Sequence, residues 1–249
     1  MPFSIPDLDK SLHFFGSPEV DHLPDQLKIL VWNVYKGKRG SRWQNDFLNL
    51  GRDKDLMLLQ EVMQDDLMPT LWKENLKTHQ WKMATSFIYN STEHRTGVAT
   101  GARFSSKETK IFRGFDREIF FWTPKVTMRS LYKTENLKHE LMVINTHALL
   151  VTTTKAFIRY IDGILSEISH HKGPLIFAGD FNTWNTFRWN ALLGLLKTQG
   201  MEHVKLPNDE RFLKLDHFFV RDLDVLSAKI RNDIYSSDHS PLEFEVRLK

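Results

Sequence analysis

The 249-residue chain has no cysteine. Disulfide staples, zinc–thiolate sites, iron–sulfur clusters and a cysteine nucleophile are therefore excluded. Any metal must be held by carboxylates, amides, imidazoles, backbone or water, a donor set that suits hard cations such as magnesium. The absence also fits a reducing compartment. Long apolar runs are missing too: no segment approaches the ~18 consecutive apolar residues of a membrane span. The N-terminus lacks a basic stretch leading into an apolar core, so no secretory signal is read there. The expectation is a soluble, cytoplasmic protein with no obligate protein partner. Charge of one sign is scarce: 34 Lys and Arg against 31 Asp and Glu leave a net charge of +3. That excess is too small to identify a polyanionic partner, because surface distribution matters more than the sum.

What is present is a globular composition, 41% hydrophobic and 26% charged. It excludes a disordered tail, a collagen-like fibre and a long coiled coil. No linker divides the chain and no repeat is visible. Residues 1–26, with Pro2, Pro6, Pro18 and Pro24, read as an irregular strap over a single domain at 27–249. Leu27–Val34 and Asp55–Gln60 are short apolar runs that suit strands buried on both faces. Helices are expected around Trp43–Leu50 and from Gln64-Asp65-Asp66 to about Leu76. From Gln80 to Tyr132 the pattern is mostly strand, and a turn near Glu135-Asn136 joins it to ELMVINTH. Phe157, Ile158, Ile161, Ile164, Leu165 and Ile168 form one apolar stripe of 3.6 period, capped by Thr152–Thr154 and stopped at Gly173-Pro174. PLIFAGDF is another buried strand, and a helix over about 185–199 ends at Gly200. FLKLDHFFV, LDVLSAKI and PLEFEVRL close the chain as strands. The pattern predicts one α/β domain with sheet at the centre and helices outside.

Polar residues recur at the ends of these apolar strands, where α/β scaffolds place ligand-binding groups. Asn33 ends ILVWN, Glu61 ends LMLLQE, and Asn145 and His147 end LMVINTH. Asp180 and Asn182 end LIFAGDFN, Asp216 interrupts FLKLDHFFV, and Asp238 and His239 precede the last strand. One such residue is as well explained by turn capping; six such places in one chain are not. Together they meet the needs of metal-assisted phosphoester hydrolysis: a cation to neutralise phosphate charge, an oriented water, and donors to the leaving oxygen.

The order WN, QE, NTH, GDFN, LDH and SDH resembles the endonuclease/exonuclease/phosphatase superfamily, the fold of deoxyribonuclease I. The resemblance runs from about Leu27 to Leu248. It is greatest to a bacterial branch with a similar VWN-YK start and AGDFN-W core. It implies a four-layer α/β sandwich with two central mixed β-sheets flanked by helices. It further implies that Glu61 is the main Mg²⁺ (or Mn²⁺) ligand with Asn33 beside it and Asp238 near enough to join. Asp180 would orient or deprotonate the attacking water, and Asn182 would hold that water or the phosphate. His239, paired with Asp216, would donate to a phosphate oxygen or act as base, and His147 would face the scissile phosphate. Asn145 would only support its strand end. Tyr35 stands where abasic-site nucleases of the superfamily carry an aspartate. Those enzymes also have a tyrosine at the place of His147, so the chain leans toward the branches that use two histidines.

Arg95, Lys125, Trp184 and Asn185 are further candidates for substrate binding. So is the basic loop with Lys36, Lys38, Arg39 and Arg42, although a solvated loop explains it equally well. His170-His171 reads as positive charge at a helix C-terminus. His94, His139, His203 and His217 show no partner pattern, and the tryptophans other than Trp184 read as packing. The expected activity is phosphodiester hydrolysis, with nucleic acid favoured. A phospholipid, sphingomyelin or inositol-phosphate headgroup is the alternative, and an inactive binding protein on the same fold is the second. An apolar, membrane-facing rim would distinguish the lipid substrate from nucleic acid.

Overall fold

A computed structural model describes residues 2–120, 122–134 and 139–249. Among the described residues, fourteen strands form two mixed sheets. In the first, the order is β1 (Phe3–Ser4), β5 (Gln80–Tyr89), β6 (Arg95–Ala102), β4 (Leu56–Gln64), β3 (Gln26–Asn33), β14 (Leu242–Leu248) and β13 (Leu223–Ile230), with β2 (Leu12–Phe15) also pairing β5. In the second, it is β11 (Glu202–His203), β12 (Asp216–Arg221), β10 (Leu175–Asp180), β9 (Leu141–His147), β8 (Val126–Tyr132) and β7 (Ser106–Arg113). Helices α1 (Ser41–Gly51) and α2 (Leu67–Thr70) cover the outside of the first sheet. Helices α3 (Thr154–Ile168) and α4 (Thr186–Thr198) cover the second. The result is the four-layer sandwich of two mixed sheets between helices.

Strand periodicity explains the layers. Along β3, Leu27, Ile29 and Val31 face the second sheet, while Leu30 and Trp32 face α1. Along β10, Ile176 and Ala178 face the first sheet, while Leu175 and Phe177 face α3 and α4. Both faces are buried, so these strands need apolar residues at every position. Each fully buried large side chain contributes about 1.5–3 kcal/mol. The outer layer over the first sheet is aromatic: Trp43 stacks on Phe47 and Trp72 on Trp81, all buried. Thr153 Oγ1 accepts from Ala156 N at 3.2 Å and starts α3, whose apolar stripe packs on β9 and β10.

Several expectations are corrected. The strap is not irregular throughout: β1 and β2 extend the first sheet at β5, and isolated bridges tie Val20 to Phe104 and Leu23 to Thr134. The segment 212–215 is loop and not strand, because Arg211 pairs with both Asp209 and Asp216 and turns the chain there. The helix after Asp66 has the expected extent, but its second half, Leu71–Asn75, winds as a π-helix and not as α-helix. His171 is not a cation at a helix end; burial holds it below its ordinary pKa, and its Nε2 lies 3.0 Å from the Pro174 carbonyl. The expected turn at Glu135-Asn136 lies outside the described residues.

Lys82, on β5, is fully buried between the sheets, with Nζ 3.3 Å from Tyr132 Oη and 3.4 Å from Thr109 Oγ1. Burial lowers its pKa from 10.5 to about 7. The unfolded chain therefore takes up this proton at higher pH than the folded one, and stability rises with pH between the two values. Lys82→Met is expected to stabilise the protein by on the order of 2 kcal/mol at pH 7. The advantage should shrink toward pH 10, which denaturant unfolding at both pH values checks. An equal gain at both would show that the ammonium is not the cause.

Candidate active site

The same strand periodicity that fills the inter-sheet layer also builds the site. Asn33 continues the Leu27, Ile29, Val31 face of β3, and Asp180 continues the Ile176, Ala178 face of β10. Asn145 and His147 continue the Leu141, Val143 face of β9, and Asp216 shares a face with Phe218 on β12. At one end of the sandwich the apolar layer gives way to polar groups. Side-chain hydrogen bonds cross between the sheets at this boundary. Gln60 Nε2 donates to Asn145 Oδ1 (2.8 Å), and Asn33 Nδ2 donates to Asp180 Oδ2 (3.0 Å). Asn145 also donates to the carbonyls of Leu59 and Ala99, so it ties the sheets together.

His147, Asp180 and Asp216 occupy one row across three neighbouring strands. Asp180 is in register with His147 on one side and Asp216 on the other. Gly179 makes this row possible. Its φ is +133°, and a Cβ there would strike the Thr146 carbonyl. Asp180 Oδ1 accepts from Asn182 N at 3.0 Å, which folds the chain after β10. Asn182 takes a positive φ of 52° and donates through Nδ2 to the Ala148 carbonyl (2.8 Å). Glu61 also has positive φ, 51°, at a break in the β4–β6 register. That bulge takes Glu61 out of the ladder and puts it on the cleft wall.

His239 comes from the loop before β14. The Trp32 indole donates to its carbonyl (2.9 Å), and Ser237 Oγ donates to the Asn33 carbonyl (2.7 Å), which pins this loop to β3. His239 Nδ1 donates to Asp216 Oδ2 at 2.8 Å. Burial opposes its charge, but Asp216, Asp180 and Asp238 outweigh that and raise its pKa to about 10. Burial raises the Asp180 carboxyl above the ordinary range, and the neighbouring Asp216 adds to the effect. His147 is held well below its usual value by burial, with Lys125, His239 and Lys36 adding to it. His147 Nε2 lies 3.2 Å from the Lys125 ammonium and 3.5 Å from Asp180 Oδ2. The site thus holds one charged and one neutral imidazole.

These groups line a cleft of about 970 Å³ together with Lys36, Tyr89, Gly97, Glu118, Phe120 and Trp122. Of the residues singled out in the sequence, Glu61, Lys125, His147, Asp180, Asn182, Asp238 and His239 all line it. Asn33 and Asp216 lie directly behind, bonded to Asp180 and His239. Arg95, Trp184 and Asn185 are not brought onto the cleft wall. Arg95 opens β6 beside the lining Thr96. Asn185 caps α4 by accepting from Arg188 N (2.9 Å). Trp184 stands at the rim, its indole donating to the Leu150 carbonyl (3.2 Å).

Other residues were missed. Glu118 is buried and accepts from Thr123 Oγ1 (2.8 Å), with Lys125 Nζ at 3.5 Å. It sits in a loop with no periodic signal. Trp122 is exposed at the cleft and is not packing. His217 does have partners: Thr183 Oγ1 at 2.7 Å, His203 Nε2 at 3.3 Å and the stacked Trp189 ring. Burial lowers His217 to about 3 and His203 to about 4, so both are neutral packing groups behind Asp216.

With this geometry in view, the sequence matches the Endonuclease/Exonuclease/phosphatase family over residues 30–239. The chain belongs to that family. Members of the Endonuclease/Exonuclease/phosphatase family are generally divalent-metal-dependent phosphoester hydrolases, with substrates such as nucleic acids. A UPF0294 protein of Vibrio parahaemolyticus is 30% identical over 243 residues, covering 94% of this chain and 82% of that protein. The family protein of Bacteroides vulgatus superposes with a TM-score of 0.71 at 15% identity, over 91% of this chain and 100% of that one. A mannosyl-6-phosphatase of Bacteroides thetaiotaomicron does so at 0.67 and 18%, over 88% and 99%. Both structural likenesses concern the fold.

Asp216→Asn removes the carboxylate that keeps His239 charged. In EDTA, imidazole resonances followed by NMR should show His239 protonated at pH 8 in the parent protein. In the variant it should titrate at clearly lower pH, with Asp180 and Asp238 alone left to oppose burial, and an unchanged titration would dissolve the pairing.

Proposed function

We propose that the chain is a divalent-metal-dependent hydrolase that cleaves a phosphodiester by direct attack of water. The row of His147, Asp180 and Asp216 on three adjacent strands, completed by His239, carries this reading. It places a buried carboxylate between a neutral imidazole and a charged one at the floor of an open cleft.

The residues present fit a hard cation. Glu61 and Asp238 offer carboxylate oxygens on the cleft wall, Asn33 lies behind with its amide oxygen accepting from Tyr35 N (3.1 Å), and Asp216 Oδ1 is buried with no hydrogen-bond partner. Asp180, Asp216 and His239 also bring ligand atoms within 4.8 Å of one another. There the His239 nitrogen nearest Asp216 is spent on a hydrogen bond, and a protonated imidazole does not ligate. We therefore assign the cation to Glu61, with Asn33 and Asp238 beside it. Bound there, Mg²⁺ or Mn²⁺ would neutralise phosphate charge and polarise the phosphoryl group.

The chain's own groups do the rest. Asp180 accepts a proton from the attacking water as its oxygen bonds to phosphorus and the ester P–O bond breaks. Asn182, fixed by the Ala148 carbonyl, orients that water or a phosphate oxygen. The His239 imidazolium, held by Asp216, donates to a non-bridging oxygen as charge develops there. His147, positioned by Lys125, faces the same phosphate. The leaving oxygen takes up a proton from solvent water and Asp180 later releases its own, so the products are a phosphomonoester and an alcohol.

Two outcomes test this. Asp180→Asn should lower kcat on a soluble diester such as bis(p-nitrophenyl) phosphate by about 10³-fold or more while leaving the fold intact. Glu61→Gln should raise the Mg²⁺ concentration for half-maximal rate by roughly tenfold, and EDTA should abolish turnover. Retained activity in Asp180→Asn, or an unchanged metal titration in Glu61→Gln, removes the corresponding assignment.

A further inference from the structure

More than half of the large apolar side chains left exposed among the described residues stand on four loops at the site end of the second sheet or on the first turn of α4. The β7–β8 loop carries Phe115, Ile119, Phe120 and Trp122. Leu150 follows β9, Trp184 and Phe187 follow β10, and Phe212 and Leu213 precede β12. Phe120 is 76% exposed, Trp122 66% and Phe187 80%. An apolar patch spread over four loops around one cleft marks an interaction surface.

The structure holds these side chains outward. Trp122 has a positive φ of 55°, and its N–H donates to the Glu118 carbonyl, closing a tight loop with Phe120 at its tip. The buried Glu118 carboxylate accepts from Leu150 N (3.2 Å), and Ile119 N donates to the Val151 carbonyl (2.9 Å). Beneath them lies Arg188, fully buried, donating to the carbonyls of Leu149, Leu150, Thr152 and Asn182. Its guanidinium lies 5.1 Å from the Trp184 ring centre. The rim is therefore preorganised.

The cations among these residues already have partners. Arg117 donates to the carbonyls of its own loop, Lys125 to His147, and Lys214 lies 3.6 Å from Asp209. A nucleic-acid strand stacked on the rim would need cations free to meet its phosphates. On the opposite side of the cleft, after β3, Lys38, Arg39 and Arg42 are exposed. Aromatic and aliphatic tips facing exposed Arg39 and Arg42 across the cleft suit a bilayer: the tips enter the headgroup region and the cations meet anionic lipid.

We propose that this rim docks the protein on a phospholipid bilayer containing anionic lipid, so that the substrate is a headgroup phosphodiester presented at the membrane surface. The substrate assignment rests on the hydrolase reading above; the docking does not.

The test is flotation with vesicles of phosphatidylcholine and phosphatidylglycerol, with EDTA throughout so that turnover plays no part. The parent protein should float. Phe120→Ser combined with Trp122→Ser should reduce the bound fraction by about tenfold or more, with Phe115→Ser/Phe187→Ser as a second rim variant. Phe14→Ser, exposed on β2, should float like the parent. Unchanged thermal unfolding confirms that the variants fold. A parent protein that stays unbound, or rim variants that float equally well, overturn the proposal. It is also overturned if the rim variants lose only binding to a single-stranded oligonucleotide, or only self-association in sedimentation. In a separate arm, parent protein with Mg²⁺ is assayed on bis(p-nitrophenyl) phosphate, which needs no surface. Flotation without that hydrolysis would sink the hydrolase and leave the docking standing; hydrolysis without flotation would do the reverse.

Discussion

Two buried carboxylates, Asp180 and Asp216, stand side by side on neighbouring strands, and the site end of the sandwich is organised around their charge. Such a pair is costly out of water unless cations and hydrogen-bond donors meet it. His239 meets Asp216 directly, Arg211 adds a longer contact at 3.4 Å, and Asn33 reaches across from the other sheet to Asp180. What these donors leave unmet is Asp216 Oδ1, buried with no hydrogen-bond partner. The loop bearing His239 must in turn be fixed, and Trp32 and Ser237 fix it to β3. Core packing and chemistry therefore share the same strand.

Much of this was legible in the sequence because strands buried on both faces announce themselves. LKILVWN and LIFAGDFN each read as an apolar run ending in a polar group, and both endings fall at the cleft. The stripe from Phe157 to Ile168 is likewise a core face in the structure. Parity along each strand then shows why those endings converge, since Asn33, Asp180 and Asp216 all face the space between the sheets.

The remainder was hidden for physical reasons. Glu118 and Trp122 lie in a loop, where no periodicity marks a residue as buried or exposed. Asn185 carries a helix-capping signature and does that work, although its place next to GDFN suggested the cleft. Arg188 looks like a surface arginine on an α-helix; only tertiary structure reveals that four carbonyls converge on it. The segment 212–215 reads as a strand from its apolar residues, while ion pairing at Arg211 decides its path.

The register of β9, β10 and β12 has a further consequence. His147, Asp180 and Asp216 keep their spacing through the backbone ladder itself, which is common to every strand pair and indifferent to the loops. The loops on that edge are therefore free to diverge in length and polarity without moving these three side chains. Chemistry and clientele are separable in such an architecture: one is written in the strands, the other in the loops that follow them.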